Sequence, residues 1–299
     1  MADRLPDGRV GPLRAFVRRV PPLRRAAIAT LRWGDRAAAR THLKELWVYF
    51  RRAARSLTGT TARPSVRFII YGQGRSGSSV LLDLIGSHPE VDCESEVFNR
   101  KVAWRLLWPD RYLRARADMG RRKAYGCKMK IYQMTDDQGI EDPHRFLLDL
   151  HAEGWKVIHL VREDLFRKAL SLVVAETRGQ FLDRRNEGGA GLGELRIDPD
   201  RLVEAMRERR EADEQESAAL EGIPHVRVTY ERDLQDPALH QATSDRVLEY
   251  LGLPSAPVET RYVRTSRSHP SEFVTNYAEV FEAVARTEFA PHLPASGTP

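Results

Sequence analysis

The chain has 299 residues, 30% of them charged, and a formal net charge of +6. This length allows one large hydrophobic core, or one core with a small appendage. Two cysteines cannot form a disulfide framework, and without a Cys/His cluster the sequence predicts no zinc site. The positive charge is concentrated in residues 1–60, which carry 14 Lys and Arg against 4 Asp and Glu, so the rest of the chain is net acidic. Since this basic segment contains no recognisable nucleic-acid-reading module, we expect no nucleic-acid partner.

Residues 1–60 are predicted to form a basic helical N-terminal arm, and residues 61–299 the domain that carries the function. The boundary falls in a Thr- and Gly-containing linker at 58–64. No run approaches the roughly 18 to 20 apolar residues that span a bilayer, and arginines interrupt every candidate signal-peptide core. Three interpretations of the arm stay open: a transit peptide, a basic amphipathic segment (residues 1–57) on an anionic membrane, or a helix packed on the core. In the last case the packing residues would be Leu43, Leu46, Trp47 and Phe50.

Beyond the linker, strand-like and helix-like segments alternate along the chain. Short apolar runs predict strands at 67–71, 125–132, 156–161 and 225–230. Helical patterns fall between and after them, at 79–87, 142–153, 164–176, 199–221 and 243–251. Strands that alternate with helices favour a parallel sheet with helices on both faces. We therefore predict a single α/β domain that follows the arm.

The segment after the first strand, residues 72–79, is called the glycine-rich loop below. Its three glycines allow tight backbone turns, and successive N–H groups together with the start of the next helix can bind an anion. The spacing nearly matches a P-loop, so the sheet is predicted to be P-loop-like, but Ser78 occupies the position of the P-loop lysine. The cation lies inside the loop instead, at Arg75.

The five residues Arg75–Ser79 resemble the 5′-phosphosulfate loop of sulfotransferases that use 3′-phosphoadenosine 5′-phosphosulfate (PAPS). Segments 87–91 (SHPEV) and 94–98 (ESEVF) resemble the stretch of carbohydrate sulfotransferases that ends in their catalytic glutamate. Segment 157–171 resembles the family's 3′-phosphate element, in which an arginine after a strand and a serine on the next helix bind the 3′-phosphate. Arginine suits this role because its planar guanidinium can bind two phosphate oxygens at once.

Later segments extend the resemblance to residues 66–285. Segment 226–234 and the helix after it are similar to the part of the family that carries an adenine-contacting tyrosine, and residues 262–267 lie where the family has a basic loop over the 3′-phosphate. In the detail of residues 126–128 and 162–180, the chain is similar to the bacterial nodulation-factor and glycolipid sulfotransferases rather than to the cytosolic aryl and steroid enzymes.

The resemblance implies an enzyme that transfers the sulfonate of PAPS to a hydroxyl group of an acceptor, with no metal ion required. A carbohydrate, a glycolipid and a small natural product all fit as the acceptor. Arg75 would stabilise the charge that develops on the leaving oxygen, and Lys128 could reach the sulfonate or the acceptor. The residues implied to bind PAPS are Gly74, Arg75, Ser76, Gly77, Ser78, Ser79, Arg162, Ser171, Tyr230 and Arg264.

An acceptor hydroxyl has a high pKa, so a general base helps to remove its proton. The resemblance assigns this role to Glu96. Glu94 and Asp92 are local competitors, because on an extended segment all three side chains would project to one face. His88 precedes a proline at the end of the first helix, where we expect a capping or surface role. His159 lies in an apolar strand, where a hydrogen-bonded core histidine is expected.

Two other functions stay open at this point. A P-loop kinase would share the fold, but it should carry the P-loop lysine and an acidic residue at a strand end for Mg²⁺. A membrane-associated adaptor without enzymatic activity would need only the basic arm and a stable body. It does not account for several separated segments that match one nucleotide site. The sequence therefore favours a cytoplasmic sulfotransferase, with peripheral membrane association through the arm as an open alternative.

Overall fold

The computed structural model describes residues 36–57, 63–99, 105–178, 194–262 and 269–294. Residues 1–35 of the arm, residues 58–62 of the linker and Arg264 lie outside these described residues. The predicted roles of the first part of the arm and of Arg264 therefore stay predictions.

The centre of the molecule is a five-stranded parallel sheet with the strand order β2-β3-β1-β4-β5. The strands are β1 (Val66–Tyr71), β2 (Val91–Glu96), β3 (Ala124–Met129), β4 (Trp155–Val161) and β5 (His225–Thr229). The four predicted strands are confirmed to within a few residues. The fifth, β2, was not predicted as a strand. Since β1 has β3 on one side and β4 on the other, its carboxyl end lies at the crevice where open α/β sheets bind ligands.

Helices cover both faces of the sheet, which confirms the predicted α/β fold. They are α1 (Arg36–Leu57), α2 (Ser78–Gly86), α3 (Pro109–Ala117), α4 (Pro143–Ala152), α5 (Leu165–Arg178), α6 (Pro199–Ala219), α7 (His240–Leu251) and α8 (Tyr277–Ala285). The helices predicted at 142–153 and 199–221 are confirmed as α4 and α6, and each begins at an Asp-Pro pair. In each case the aspartate accepts a hydrogen bond from a backbone N–H of the first turn, and proline fills a position that needs no donor.

The side chains of β1 alternate between the two layers of the core. Ile69 and Tyr71 pack with α1, α3 and α4, whereas Phe68 and Ile70 pack with α2 and α7. A third apolar cluster joins α5, α6 and α8. All four of these β1 side chains are buried, so the strand that leads into the glycine-rich loop is fixed from both sides.

The inner face of α1 packs on the body of the protein. The buried carboxylate of Glu45 accepts hydrogen bonds from the backbone N–H groups of Leu107 (3.2 Å) and Trp108 (3.1 Å) and from the hydroxyl of Tyr49 (3.0 Å). Val48, one helical turn further on, is buried in the core cluster that includes α3 and α4. The described part of the arm is therefore docked on the core.

The expectation that the large apolar side chains of the arm make this contact is wrong. Leu43, Trp47 and Phe50 are 63%, 54% and 60% exposed, and only Leu46 is half-buried. These three residues share one side of the helix, and the side that docks carries Glu45 and Val48. None of the helices in the described ranges is long and apolar enough to span a bilayer.

Candidate active site

The glycine-rich loop is tightly constrained by its neighbours. A Cβ atom on Gly72 would lie 2.2 Å from the carbonyl oxygen of Leu160 on β4, so only glycine fits this close approach. Gly77 has a φ of 85°, and a Cβ there would lie 2.8 Å from the ring of Tyr230. Arg75 has a φ of 69°, a left-handed conformation that is uncommon for a residue other than glycine. Such conformations cost free energy and are concentrated at functional sites.

The elements predicted to bind the two phosphates of the nucleotide meet at this loop. Nε of Arg75 donates a hydrogen bond to Oγ of Ser171 on α5 at 2.9 Å. Nη1 of Arg162, which follows β4, donates to the carbonyl oxygen of Arg75 at 2.9 Å. The Arg162 guanidinium also lies over the ring of Tyr230, 4.7 Å from its centroid. Arg75, Arg162, Ser171 and Tyr230 are thus in one place, although they come from four separate segments of the chain.

Several donors at this place have no acceptor within the described structure. Oγ of Ser76 and Nε of Arg162 are buried without a hydrogen-bond partner, and the nearest carboxylate to the latter, on Glu231, is 3.7 Å away. Gly77 is the N-cap of α2, and no side chain caps the first N–H groups of that helix. Buried donors of this kind are normally satisfied, so an anionic group with several oxygens fits the site.

A bulge in β2 separates Glu96 from the acidic residues before it. Glu94 lies opposite Cys127 on β3, and Glu96 lies opposite the very next residue, Lys128. Ser95 is therefore the extra residue of the bulge, and it reverses the alternation of side chains along the strand. Glu96 consequently shares the face of Lys128, whereas Glu94 shares the opposite face with Cys127.

The expectation that Asp92, Glu94 and Glu96 project to one face is therefore wrong, because the period-2 rule assumes an unbroken strand. Asp92 accepts hydrogen bonds from the backbone N–H groups of residues 121–122. Glu94 forms an ion pair with Arg116 of α3. Only Glu96 faces the glycine-rich loop. The structure therefore distinguishes Glu96 from the other two carboxylates, which the sequence alone could not do.

Glu96 is held by four side chains. Its carboxylate accepts hydrogen bonds from Lys130 (2.7 Å), Asn99 (2.7 Å) and Gln133 (2.8 Å), and Nζ of Lys128 lies 3.7 Å away. Burial alone would raise the pKa of Glu96, but the charge and hydrogen bond of Lys130, with Asn99 and Lys128, lower it to about 2. Glu96 is therefore ionised at every pH near neutrality.

Lys128 connects Glu96 to the glycine-rich loop. It is 5% exposed, burial lowers its pKa, and its Nζ donates a hydrogen bond to Oγ of Ser79 at 3.1 Å. Lys130 was not among the predicted site residues, yet its Nζ contacts Glu96 and lies 3.4 Å from where a Cβ of Gly74 would be. The signal in the sequence was a second lysine two positions after Lys128, at the carboxyl end of the same strand.

Neither histidine belongs to this cluster. His88 is 1% exposed, with Nε2 3.1 Å from the carbonyl oxygen of Pro254 and Nδ1 accepting from the N–H of Glu90. A surface role for His88 is therefore wrong, because the residue is buried between the end of α2 and the loop that follows α7. His159 is buried as predicted, but its Nε2 has no hydrogen-bond partner among the described residues and lies 4.0 Å from Glu216. Burial lowers the pKa of His159 to about 4.

A groove of about 940 Å³ lies next to the Glu96 cluster, between residues 131–144 and the second half of α6. Tyr132 lines it, and its hydroxyl is 3.4 Å from Nζ of Lys130. Arg209 lines it from α6 and donates to the side chain of Gln73 in the glycine-rich loop at 3.3 Å. The groove therefore borders both the candidate base and the loop.

These features define an α/β protein in which a cluster of buried donors at the carboxyl ends of β1 and β4, suited to an anion, lies beside an ionised carboxylate. Within the described ranges, no group of three or more His, Cys, Asp or Glu side chains is arranged to hold a metal ion. The predicted independence from metal stays a prediction.

Comparison with known proteins identifies relatives of this chain. No family model matches it. Nodulation protein H of Rhizobium meliloti strain 1021 is 28% identical over 235 residues, which cover 73% of this chain and 90% of the relative, and the same protein of Rhizobium meliloti matches equally. A crystal structure of a sulfotransferase from Alicyclobacillus acidocaldarius covers 78% of this chain and 98% of its own, at 16% identity and a TM-score of 0.44. The resemblance to sulfotransferases that the motifs indicated is confirmed by the similarity to nodulation protein H.

Proposed function

We propose that this protein transfers the sulfonate group of PAPS to a hydroxyl group of a carbohydrate, a glycolipid or a small natural product. The observation that carries the proposal is the contact between the two predicted phosphate elements. Arg75 of the glycine-rich loop donates to Ser171, and Arg162 donates to the backbone of Arg75. A nucleotide with phosphates at both the 5′ and 3′ positions is the ligand that such paired elements suit.

The two phosphate positions are assigned to different residues. The backbone and hydroxyl groups of residues 74–79 would hold the 5′-phosphosulfate, with Arg75 as the charged partner. Arg162 and Ser171 would hold the 3′-phosphate, and Tyr230 would contact the adenine. Arg264 keeps its predicted role over the 3′-phosphate, outside the described residues.

PAPS, when bound, supplies an activated sulfonate. Glu96 accepts the proton of the acceptor hydroxyl on its carboxylate, and Arg75 with Lys128 stabilises the negative charge that develops at the leaving oxygen. A carboxylate with a pKa of about 2 is a weak base. Since Lys128 and Lys130 cause much of that low pKa, an anion near the loop that shares their attraction would raise the pKa of Glu96 and make it a better base.

The groove beside Tyr132 is the proposed acceptor site. Tyr132 is 39% exposed and presents an aromatic ring next to Lys130. Aromatic rings stack on the apolar faces of sugars, and a hydroxyl group on a bound sugar would be close to the Glu96 cluster.

Calorimetry on the full chain tests the donor. Adenosine 3′,5′-bisphosphate should bind roughly tenfold to a hundredfold more tightly than 5′-AMP, because it gains a charge-assisted contact worth about 1.5–3 kcal/mol. Binding should be unaffected by EDTA. Equal affinities for the two nucleotides, or binding of ATP that requires Mg²⁺, would contradict the proposal and favour the kinase alternative.

We also infer that this protein is cytoplasmic and that its arm, residues 1–57, attaches it peripherally to anionic membranes. The described part of that arm is α1. Its exposed apolar side chains, Leu43, Trp47 and Phe50, lie next to a basic row. The basic row consists of Arg40, Lys44 and Arg51, all exposed. An apolar strip beside basic residues is the pattern of helices that lie in a membrane interface.

Co-sedimentation with vesicles that contain phosphatidylserine tests this inference. Replacing Trp47 and Phe50 together by serine should greatly reduce binding, whereas two serines at the exposed positions Ala53 and Lys123 should not. Full binding by the Trp47/Phe50 variant, or no binding by the wild type at low salt, would show that the arm is only structural.

A further inference from the structure

Behind the glycine-rich loop, the side chain of Gln73 is fixed by α6. Gln73 is 3% exposed, and its Nε2 donates to Oδ1 of Asp213 at 2.6 Å and to the carbonyl oxygen of Arg209 at 3.0 Å. Its Oε1 accepts from Nη1 of Arg209. Both ends of this amide are therefore bonded to α6, two residues before Arg75 in the loop.

The same aspartate also holds the helix that carries Ser171. Lys168 of α5 is 1% exposed, and its Nζ donates to Oδ2 of Asp213 at 2.5 Å. Lys168 precedes Ser171 by three residues, so the two lie one helical turn apart. A buried ammonium group is costly unless it is paired, so this contact fixes where α5 lies against α6.

The two carboxylate oxygens of Asp213 thus bind two different elements. Oδ1 holds the loop assigned to the 5′-phosphosulfate, and Oδ2 holds the helix assigned to the 3′-phosphate. We propose that Asp213 is a positioning residue that sets the distance between the two phosphate sites, and so determines the preference for a nucleotide with both phosphates. The inference rests on the proposed function, since it concerns the same nucleotide.

A purely structural role for Asp213 makes a different prediction. If the aspartate only stabilised the fold, its loss would lower the melting temperature and leave the relative affinities for different nucleotides unchanged. A positioning role instead predicts a selective loss for adenosine 3′,5′-bisphosphate, which must reach both sites, and little change for 5′-AMP, which needs only the loop.

The test is calorimetry with both nucleotides on the full chain carrying Asp213→Asn. The asparagine has nearly the same shape, but it cannot offer a carboxylate oxygen to both Gln73 and Lys168. We expect affinity for the bisphosphate to fall about tenfold and affinity for 5′-AMP to change less than about threefold. Glu214→Gln, at the exposed next position of α6, is the matched control and should change neither.

A second variant covers the case in which the unpaired Lys168 unfolds the protein. Asp213→Ala combined with Lys168→Met removes both charges, so no buried ammonium is left without a partner. It should show the same selective loss. An unchanged ratio of the two affinities in a folded variant would overturn the positioning role, even if the melting temperature falls. A wild type without preference for the bisphosphate would overturn the donor assignment and this inference with it, so the two failures are distinguishable.

Discussion

Glu96 and Glu216 are carboxylates with opposite electrostatic environments in one protein. Both are largely removed from solvent, with side chains 19% and 1% exposed. The pKa of Glu96 is lowered to about 2, whereas the pKa of Glu216 is raised to about 8. The first lies at the carboxyl end of the sheet and the second on α6, 4.0 Å from His159 of β4.

The difference comes from the contacts that each carboxylate makes. Glu96 has Lys130 in direct contact, and this attraction outweighs the effect of burial. Burial raises the pKa of Glu216, Asp213 raises it further, and its Oε1 has no hydrogen-bond partner within the described structure. A direct cation contact therefore decides whether a buried carboxylate is ionised at neutral pH. The ionised one faces the candidate active site, and the protonated one belongs to the core.

The largest expected effect is on turnover, from Glu96→Gln. If Glu96 accepts the acceptor proton, kcat should fall by about 10²–10⁴-fold, because the amide cannot accept it. Nucleotide binding should be preserved, since the substitution is nearly isosteric, whereas the melting temperature should fall by a few degrees, because the amide loses the ion pairs with Lys130 and Lys128. Steady-state kinetics and calorimetry measure the two quantities.

The matched control is Glu94→Gln, two residues away on the other face of β2, where Glu94 pairs with Arg116. It should affect kcat much less. If Glu94→Gln lost turnover while Glu96→Gln kept near wild-type activity, the general base would be Glu94 and not Glu96. Normal activity in both variants would mean that the carbohydrate-sulfotransferase analogy fails at this position.

An intermediate effect is expected from Lys130→Met, which removes the cation that holds the pKa of Glu96 low. The base must be ionised to work, so the acid limb of the rate–pH profile should move to higher pH, by about one unit or more. Lys123→Met is the control, because Lys123 is an exposed lysine just before β3 that pairs with Glu90. An acid limb at the wild-type position would show that Lys130 does not set the pKa of the base.

The smallest effect is expected on stability, from Glu216→Gln. Glu216 holds a proton in the folded state up to about pH 8, whereas its ordinary pKa is 4.5, so its contribution to stability is present below pH 4.5 and is lost as pH rises through 8. Gln cannot ionise, so the variant should melt on the order of 5–10 °C above the wild type near pH 8.5. Near pH 4.5 the variant and the wild type should melt at about the same temperature. Thermal unfolding across this pH range, with Glu214→Gln as an exposed control, measures it. The same melting-temperature difference at both pH values would contradict the raised pKa.

Much of the fold and of the candidate nucleotide site could be predicted because the relevant patterns are local. The apolar run of β1, the glycines after it, and the Asp-Pro starts of α4 and α6 each depend on a few neighbouring residues. The resemblance likewise assigned Arg75, Arg162 and Ser171 to one nucleotide, and the structure brings them into contact.

Other features depend on contacts between distant parts of the chain. The side of β2 that Glu96 occupies follows from the bulge at Ser95, which is defined only by pairing with β3. Lys130 and Gln133 reach Glu96 because the chain turns back after β3, and Asp213 meets Gln73 and Lys168 because α6 packs on α5.

The sequence by itself determined the alternation of strands and helices, the glycine-rich loop and its arginine, and the basic charge of the arm. The tertiary structure decided which of three neighbouring carboxylates faces the loop, which face of α1 is exposed, and which buried acid is ionised. The physical reason is the separation along the chain of the groups that interact. Helix, strand and turn preferences are set within a few residues, whereas register, burial and pKa depend on groups that only folding brings together.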